Sequence, residues 1–185
     1  MILKREDDYL VTSESVTEGH PDKVCDQISD AILDAYLAQD PKSRVAVETM
    51  VSTDMVVLAG EVTSRGTVDV VKTAREVIRD IGYTEKGKGF DADTCMIFTN
   101  LHNQSPDISM GVGKGTEGEK EVLGGGDQGI MYGYASDETE SLMPLPCSLA
   151  NRLTMQLAAI RKQGKAEFLY PHGKRQAAAM HLLQP

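Results

Sequence analysis

Arg44-Val45-Ala46-Val47-Glu48-Thr49-Met50-Val51-Ser52 and Met55-Val56-Val57-Leu58-Ala59-Gly60-Glu61-Val62-Thr63 flank the dipeptide Thr53-Asp54. Val45, Val47 and Val51 mark the apolar side of the first segment, and Val56, Leu58 and Val62 that of the second, as in half-buried strands. A two-residue turn at Thr53-Asp54 pairs Ser52 with Met55 and fixes the register of every pair beyond. Glu48 then stands opposite Ala59, and Glu61 opposite Ala46. Both carboxylates share one face, a diagonal step apart among small side chains and close enough to share a ligand. Two glutamates on a solvent face is the plainer reading of the same pattern.

Upstream, Val24, Ile28, Ala31, Ile32, Ala35 and Tyr36 form a helical stripe that predicts a helix over Pro21–Gln39. Pro21 suits the first helical position and Asp22 the positive end of the helix. Ser15-x-x-Glu18 matches a capping box just before it. Asp22, Asp26, Asp30 and Asp34 recur every four residues and form one acidic ridge. A solvated face explains that ridge; the sharper reading has its first member meeting a cation at the helix mouth.

Downstream, Val68, Val71, Ala74, Ile78 and Ile81 predict a helix over Thr67–Ile81, stopped by Gly82. Thr94–Thr99 reads as a strand. The order helix, strand, strand, helix, strand predicts an α+β fold, a two-layer α/β sandwich rather than a doubly wound series. Asn100–Gly129 has no periodicity and many glycines, the composition of a lid or linker. Ile130–Ala135 reads as a strand, and Ser148–Lys162 as a helix ending at Gly164. Arg175–Pro185 fits no obvious element, and no internal repeat is visible.

The 185 residues allow one domain or two small ones. With 41% hydrophobic and 25% charged residues the chain is globular rather than disordered. The net charge of −9 argues against a binder of nucleic-acid backbones. Charge is uneven: residues 1–140 hold 27 acids and 13 bases, and residues 141–185 one acid and six bases. Those six bases are scattered and have no aromatic platform, so no nucleic-acid partner is expected. No apolar run reaches the ~20 residues of a membrane span, and Met1–Asp8 has no apolar leader core. Cys25, Cys95 and Cys147 are widely spaced and form no Cys-x-x-Cys pair. Reduced thiols and a cytoplasmic location are the plain reading.

Two motifs carry chemistry. Gly124-Gly125-Gly126-Asp127-Gln128-Gly129 spells G-x-G-x-x-G but ends a loop and precedes a strand-like run, the wrong setting for a dinucleotide fingerprint. It reads either as a flexible turn or as a tight one that lets Asp127 approach a ligand. His20-Pro21-Asp22-Lys23 puts an imidazole, a carboxylate and an ammonium at one helix N-terminus, an end that attracts anions. His20 and Lys23 suit phosphate oxygens there, and Asp22 a magnesium ion bridging them. A plain surface helix start is the competing reading.

Thr12-Ser13-Glu14-Ser15-Val16-Thr17-Glu18-Gly19-His20-Pro21-Asp22-Lys23 resembles the opening signature of the S-adenosylmethionine synthetase (methionine adenosyltransferase) family. The resemblance continues through Asp26–Ala31, Gly60-Glu61-Val62-Thr63, Gln104-Ser105-Pro106-Asp107-Ile108 and Gly126-Asp127-Gln128-Gly129 with Tyr132-Gly133-Tyr134-Ala135. It runs from about Asp8 to Lys174. It implies an enzyme that joins ATP and L-methionine into S-adenosylmethionine, releasing phosphate and diphosphate. It implies sandwich domains of the synthetase type: an N-terminal domain over 8–107, a mobile loop or linker over 108–122, and an incomplete central domain over 123–185. By position, His20, Lys23 and Asp127 resemble catalytic residues, and His20 and Lys174 contacts to ATP. Glu61 and Gln104 resemble the methionine-binding pair. Asp22 resembles a magnesium ligand and Glu48 a potassium ligand, so Mg2+ and K+ are the implied cofactors. Gln104 to about Lys114 resembles a gating loop. The family works as a homo-oligomer, a dimer or dimer of dimers, whose sites form between subunits.

The chain also departs from the family. His172-Gly173-Lys174 has histidine where the family pattern begins with an acidic residue. After Lys174 the family continues as a strand like Gln-Val-Thr, whereas Ala177–Pro185 reads as a truncated or frameshifted end. Family chains are much longer and hold further cationic residues. The resemblance therefore implies a fragment with little activity alone. The alternative is a non-catalytic module that associates with a full-length synthetase subunit.

Overall fold

The Thr53-Asp54 turn closes the hairpin in the expected register, from Ser52 opposite Met55 to Arg44 opposite Thr63. Asp54 takes a positive φ of 52°, which aspartate tolerates better than most residues. The computed structural model describes residues 9–85, 89–103 and 129–181. Its elements are β1 (Tyr9–Val16), α1 (Pro21–Leu37), β2 (Arg44–Ser52), β3 (Met55–Thr63), α2 (Val70–Ile81), β4 (Met96–His102), α3 (Leu145–Lys162) and β5 (Lys174–His181).

β2, β3 and β4 form one sheet in that order, with β3 and β4 parallel and joined across α2. α1 and α2 cover its inner face. Val24, Ile28 and Ile32 of α1 and Ala74, Ile78 and Ile81 of α2 meet Val47, Val56 and Leu58 in one core. Burying each such Ile, Leu or Val side chain contributes roughly 1.5–3 kcal/mol. This is the α+β two-layer sandwich expected from the element order. The acidic ridge of α1 (Asp22, Asp26, Asp30, Asp34) lies on its exposed side, as a solvated face does. At the end of α2, Gly82 adopts φ 107° and its N–H bonds to the Arg79 carbonyl, while the Tyr83 N–H reaches back to Ile78. That is the glycine-terminated helix stop.

A second layer was not legible as such. β1 pairs antiparallel with β5, Tyr9 opposite His181 through Val16 opposite Lys174, and α3 packs on both strands. Two expectations are corrected here. Residues 174–181 form a strand, because β1 offers them a partner. Ile130–Ala135 is irregular and exposed, with Ile130 81%, Met131 87% and Tyr132 93% open, because no strand among the described residues pairs with it. Boundaries also shift: α2 begins at Val70, capped by the Asp69 carboxylate, and α3 begins at Leu145.

Gly60 sits in β3 at φ 138°, where a Cβ would run into the Ala46 carbonyl oxygen across the hairpin. Gly60→Ala is therefore expected to cost more than about 1 kcal/mol of unfolding free energy. The check is a lowered urea midpoint at unchanged m-value.

Candidate functional site at the mouth of the first helix

His20 caps α1. Its backbone is extended (φ −64°, ψ 139°), and its Nδ1 accepts the Asp22 N–H at 3.2 Å. An accepting Nδ1 puts the proton of a neutral ring on Nε2, which leaves that N–H to face a ligand. The expected Ser15–Glu18 capping box does not form. β1 runs through Val16, so Ser15 is a strand residue, and its hydroxyl bonds Thr154 Oγ1 at 3.0 Å. The Glu18 carboxylate turns instead to Arg161 and Lys162 at the end of α3.

Several groups converge on this mouth. The Asp22 carboxylate is 88% exposed and 3.7 Å from His20 Nδ1. Lys23 Nζ donates to the Val16 carbonyl at 2.6 Å, which leaves two of its three N–H groups free. From the other end of the chain, the His172 ring stands edge-on to His20 with centroids 5.2 Å apart. Lys174 opens β5 directly opposite Val16. The Thr17 hydroxyl holds this arrangement: it donates to the Pro171 carbonyl and accepts the Gly173 N–H at 2.7 Å. His20, Asp22, Lys23 and the His172 ring thus meet at one helix N-terminus, with Lys174 two residues beyond His172. An open cleft of about 710 Å³ adjoins it, bordered by Gly19, Pro21, Tyr83, Phe90, Arg161 and His172.

Glu48 and Glu61 stand elsewhere. They occupy the outer face of the β2–β3–β4 sheet, one diagonal step apart as the hairpin register requires, with Glu48 exposed and Glu61 half-buried. α1 covers the opposite face, so this chain does not bring the two glutamates to the helix mouth. Across the sheet, Ala46, Glu61 and His102 make one row and Glu48, Ala59 and Asn100 the next. His102 escaped the sequence reading, because the parallel β3–β4 register that sets it beside Glu61 has no local sign. Gln104, Asp127 and the suspected gating loop lie outside the described residues.

Among the described residues no three His, Cys, Asp or Glu side chains come together as a metal cluster. The three cysteines are unpaired. Burial pushes the thiols of Cys25 and Cys95 up, which makes them poor nucleophiles. Among the described residues no helix is long and apolar enough to cross a membrane.

Partial burial, then the neighbouring His20 and Lys174, hold the pKa of His172 below its ordinary 6.5. The unfolded chain therefore takes up this proton more readily than the folded one. His172 leaves stability untouched above pH 6.5 and lowers it as the pH falls through the folded-state value. His172→Gln is expected to flatten the decline in thermal midpoint between pH 7 and pH 5.5; an unchanged profile would sink that assignment.

The chain matches the S-adenosylmethionine synthetase N-terminal domain over residues 8–106 and the central domain of the same family over residues 122–181. It is 59% identical over 173 residues to S-adenosylmethionine synthase 1 of Rhodospirillum rubrum, covering 94% of this chain and 44% of that protein. It is 55% identical to the synthase of Prochlorococcus marinus (94% and 42% covered) and 54% identical to that of Thermus thermophilus (93% and 45%). The chain spans less than half the length of these relatives. The central-domain match extends through β5, past the point where the resemblance read from the sequence was expected to stop at Lys174. Over nearly its whole described length, then, this chain belongs to the S-adenosylmethionine synthetase family.

Proposed function

We propose that this chain supplies the phosphate-binding part of a site that forms S-adenosylmethionine from ATP and L-methionine, releasing phosphate and diphosphate. The observation that supports the reading is the ring contact between His20 at the mouth of α1 and His172 from the far end of the chain, with Lys23 beside the first and Lys174 two residues beyond the second. The chemistry suits these residues. A thioether sulfur is nucleophilic without losing a proton, so attack on the ribose C5′ needs no general base. The demand lies in stabilising the triphosphate as it leaves, which calls for positioned donors and cations. In this reading the His20 Nε2–H, the free N–H groups of Lys23 and the Lys174 ammonium bind phosphate oxygens.

Asp22 fits a magnesium ion, which takes few protein carboxylates and fills its shell with water and phosphate oxygens. One open carboxylate beside phosphate donors meets that need. Bound there, the ion would neutralise charge on the expelled triphosphate. Glu48 fits potassium as a single oxygen donor, its remaining ligands coming from beyond this sheet face. Glu61 and Gln104 as the methionine pair, and Asp127 as an active-site carboxylate, follow from family position. So does the division into domains over 8–107 and 123–185 around a linker at 108–122. The cytoplasm is the matching location.

The site is also proposed to lie between subunits. Met50, Met96 and Phe98 are each more than half exposed on the outer sheet face, with Val57 between Met50 and Phe98. A second copy, or a full-length synthetase subunit, would bury these side chains and enclose Glu48 and Glu61.

Three measurements test the reading. Calorimetry should register binding of magnesium tripolyphosphate, weakened roughly tenfold or more by His20→Ala through loss of a charge-assisted hydrogen bond. No binding by the unaltered chain would overturn the phosphate assignment. The chain alone should give no detectable S-adenosylmethionine from ATP and methionine; measurable turnover would overturn its restriction to part of a site. Sedimentation should find a dimer that Phe98→Glu converts to monomer, and a monomer of the unaltered chain at tens of micromolar would remove the interface.

A further inference from the structure

We infer that His172 is a proton-accepting anion contact: with His20 and Lys174 it binds phosphate-type anions while taking up a proton, so affinity at this mouth rises as the pH falls. The inference rests on the phosphate-binding reading above and adds how that site responds to pH. Three potentially cationic side chains lie close together, the two imidazoles edge to face at 5.2 Å and Lys174 two residues beyond His172. Such crowding of like charge is unfavourable unless an anion joins it.

Among the described residues, charged and titratable groups approach His172 from several elements. α1 contributes His20 and, beyond it, the exposed Asp22 carboxylate and Lys23, whose ammonium donates to the Val16 carbonyl. β5 contributes Lys174 and Arg175, and α3 contributes Arg161, already committed to Glu18. The segment before His172 contributes Glu167, which borders the adjoining cleft. Lys174 and His20 both oppose a proton on His172, as does partial burial. The free protein near neutral pH therefore holds His172 uncharged. A phosphate oxygen at the mouth reverses the balance, since an anion within a few ångströms favours the imidazolium. The proton comes from solvent and adds to the ring nitrogen, so the protein within the complex carries one more positive charge than the free protein.

The experiment is calorimetric titration of the full 185-residue chain with sodium tripolyphosphate at pH 6, 7 and 8. Each pH is run in two buffers of different ionisation heat, which gives the number of protons taken up. Tripolyphosphate titrates too, so the reading is the difference between the unaltered chain and His172→Gln. The unaltered chain should gain up to about tenfold more affinity than the variant per pH unit over the window where His172 accepts its proton. It should also take up between half a proton and one proton more. His172→Asp should remove the extra uptake and weaken binding at every pH. Imidazole nitrogen NMR should show the His172 pKa rising on addition of the anion. Equal pH dependence in the unaltered chain and His172→Gln, or an NMR titration that moves His20 alone, would overturn the inference while leaving the phosphate site standing. Absence of binding at every pH would remove the inference, and absence of binding with magnesium added as well would remove the phosphate site.

Discussion

The hydroxyl of Thr17 is the joint on which this structure turns. Thr17 is 6% exposed; its hydroxyl bonds the Pro171 carbonyl and the Gly173 N–H, and its backbone N–H donates to the Gly173 carbonyl at 2.9 Å. Gly19 N–H adds a bond to the Pro171 carbonyl. These groups lie at the end of β1 and just before β5, so they lock the strand pair at the point where both chains turn toward α1. An isolated two-stranded ribbon is marginal in water. Here α3 on its face and the Thr17 clamp at its end supply what the ribbon lacks. The clamp adds to the β1–β5 ladder in setting His172 and Lys174 relative to His20.

A second set of contacts orients the same segment. Glu18 is paired with both Arg161 and Lys162, and Arg161 is only 13% exposed. Tyr83 donates its hydroxyl to the Gly19 carbonyl at 2.6 Å, and Gln27 reaches the Glu18 carbonyl at 3.0 Å. Residues 17–20 are therefore held by α1, α3, the end of α2 and the approach to β5 together. Charge-assisted bonds in a partly buried setting are worth more than surface pairs, and truncating one partner strands the other. This explains why Glu18 gives up the local capping role its spacing suggests. Two cations on α3 outcompete one backbone N–H, and the His20 ring takes the cap instead. Gly82 belongs to the same arrangement, since a side chain there would meet the Arg161 guanidinium.

What was legible in the sequence follows from the range of the interactions. The β2–β3 hairpin reads directly, because a two-residue turn sets every pair and therefore the shared face of Glu48 and Glu61. The helices read from their stripes. The His20-Pro21-Asp22-Lys23 group reads because a helix N-terminus gathers neighbours in sequence. The β1–β5 pair does not read, because its partners are far apart in the chain. Its strands carry Ser, Thr, Gln and Ala rather than a clear apolar alternation, and its buried contact is a Ser15–Thr154 hydrogen bond. Ile130–Ala135 fails for the opposite reason: it has the composition of a strand but pairs with none among the described residues. The nearness of His172 and Lys174 to His20 is a consequence of β1–β5 pairing and shares its invisibility.

The outer sheet face orders its residues by polarity along the strands. The row Ser52, Met55, Met96 and the row Met50, Val57, Phe98 are dominated by large apolar side chains. The next rows, Glu48 with Ala59 and Asn100, and Ala46 with Glu61 and His102, are small or polar. Alternation along three strands produces this grading only because the hairpin and the parallel β3–β4 register agree on which residues face outward. In the proposed association, the apolar rows give the approaching chain area to bury, while the small residues beside the carboxylates leave room there. Hydrophobic association is non-directional, so the apolar rows alone would permit many docking angles. Two acidic side chains at one end restrict them: they are tolerated under a cover only where cations or donors meet them, because an unpaired buried carboxylate is strongly unfavourable. In the proposed association, the same face supplies both the drive and the condition that selects its geometry.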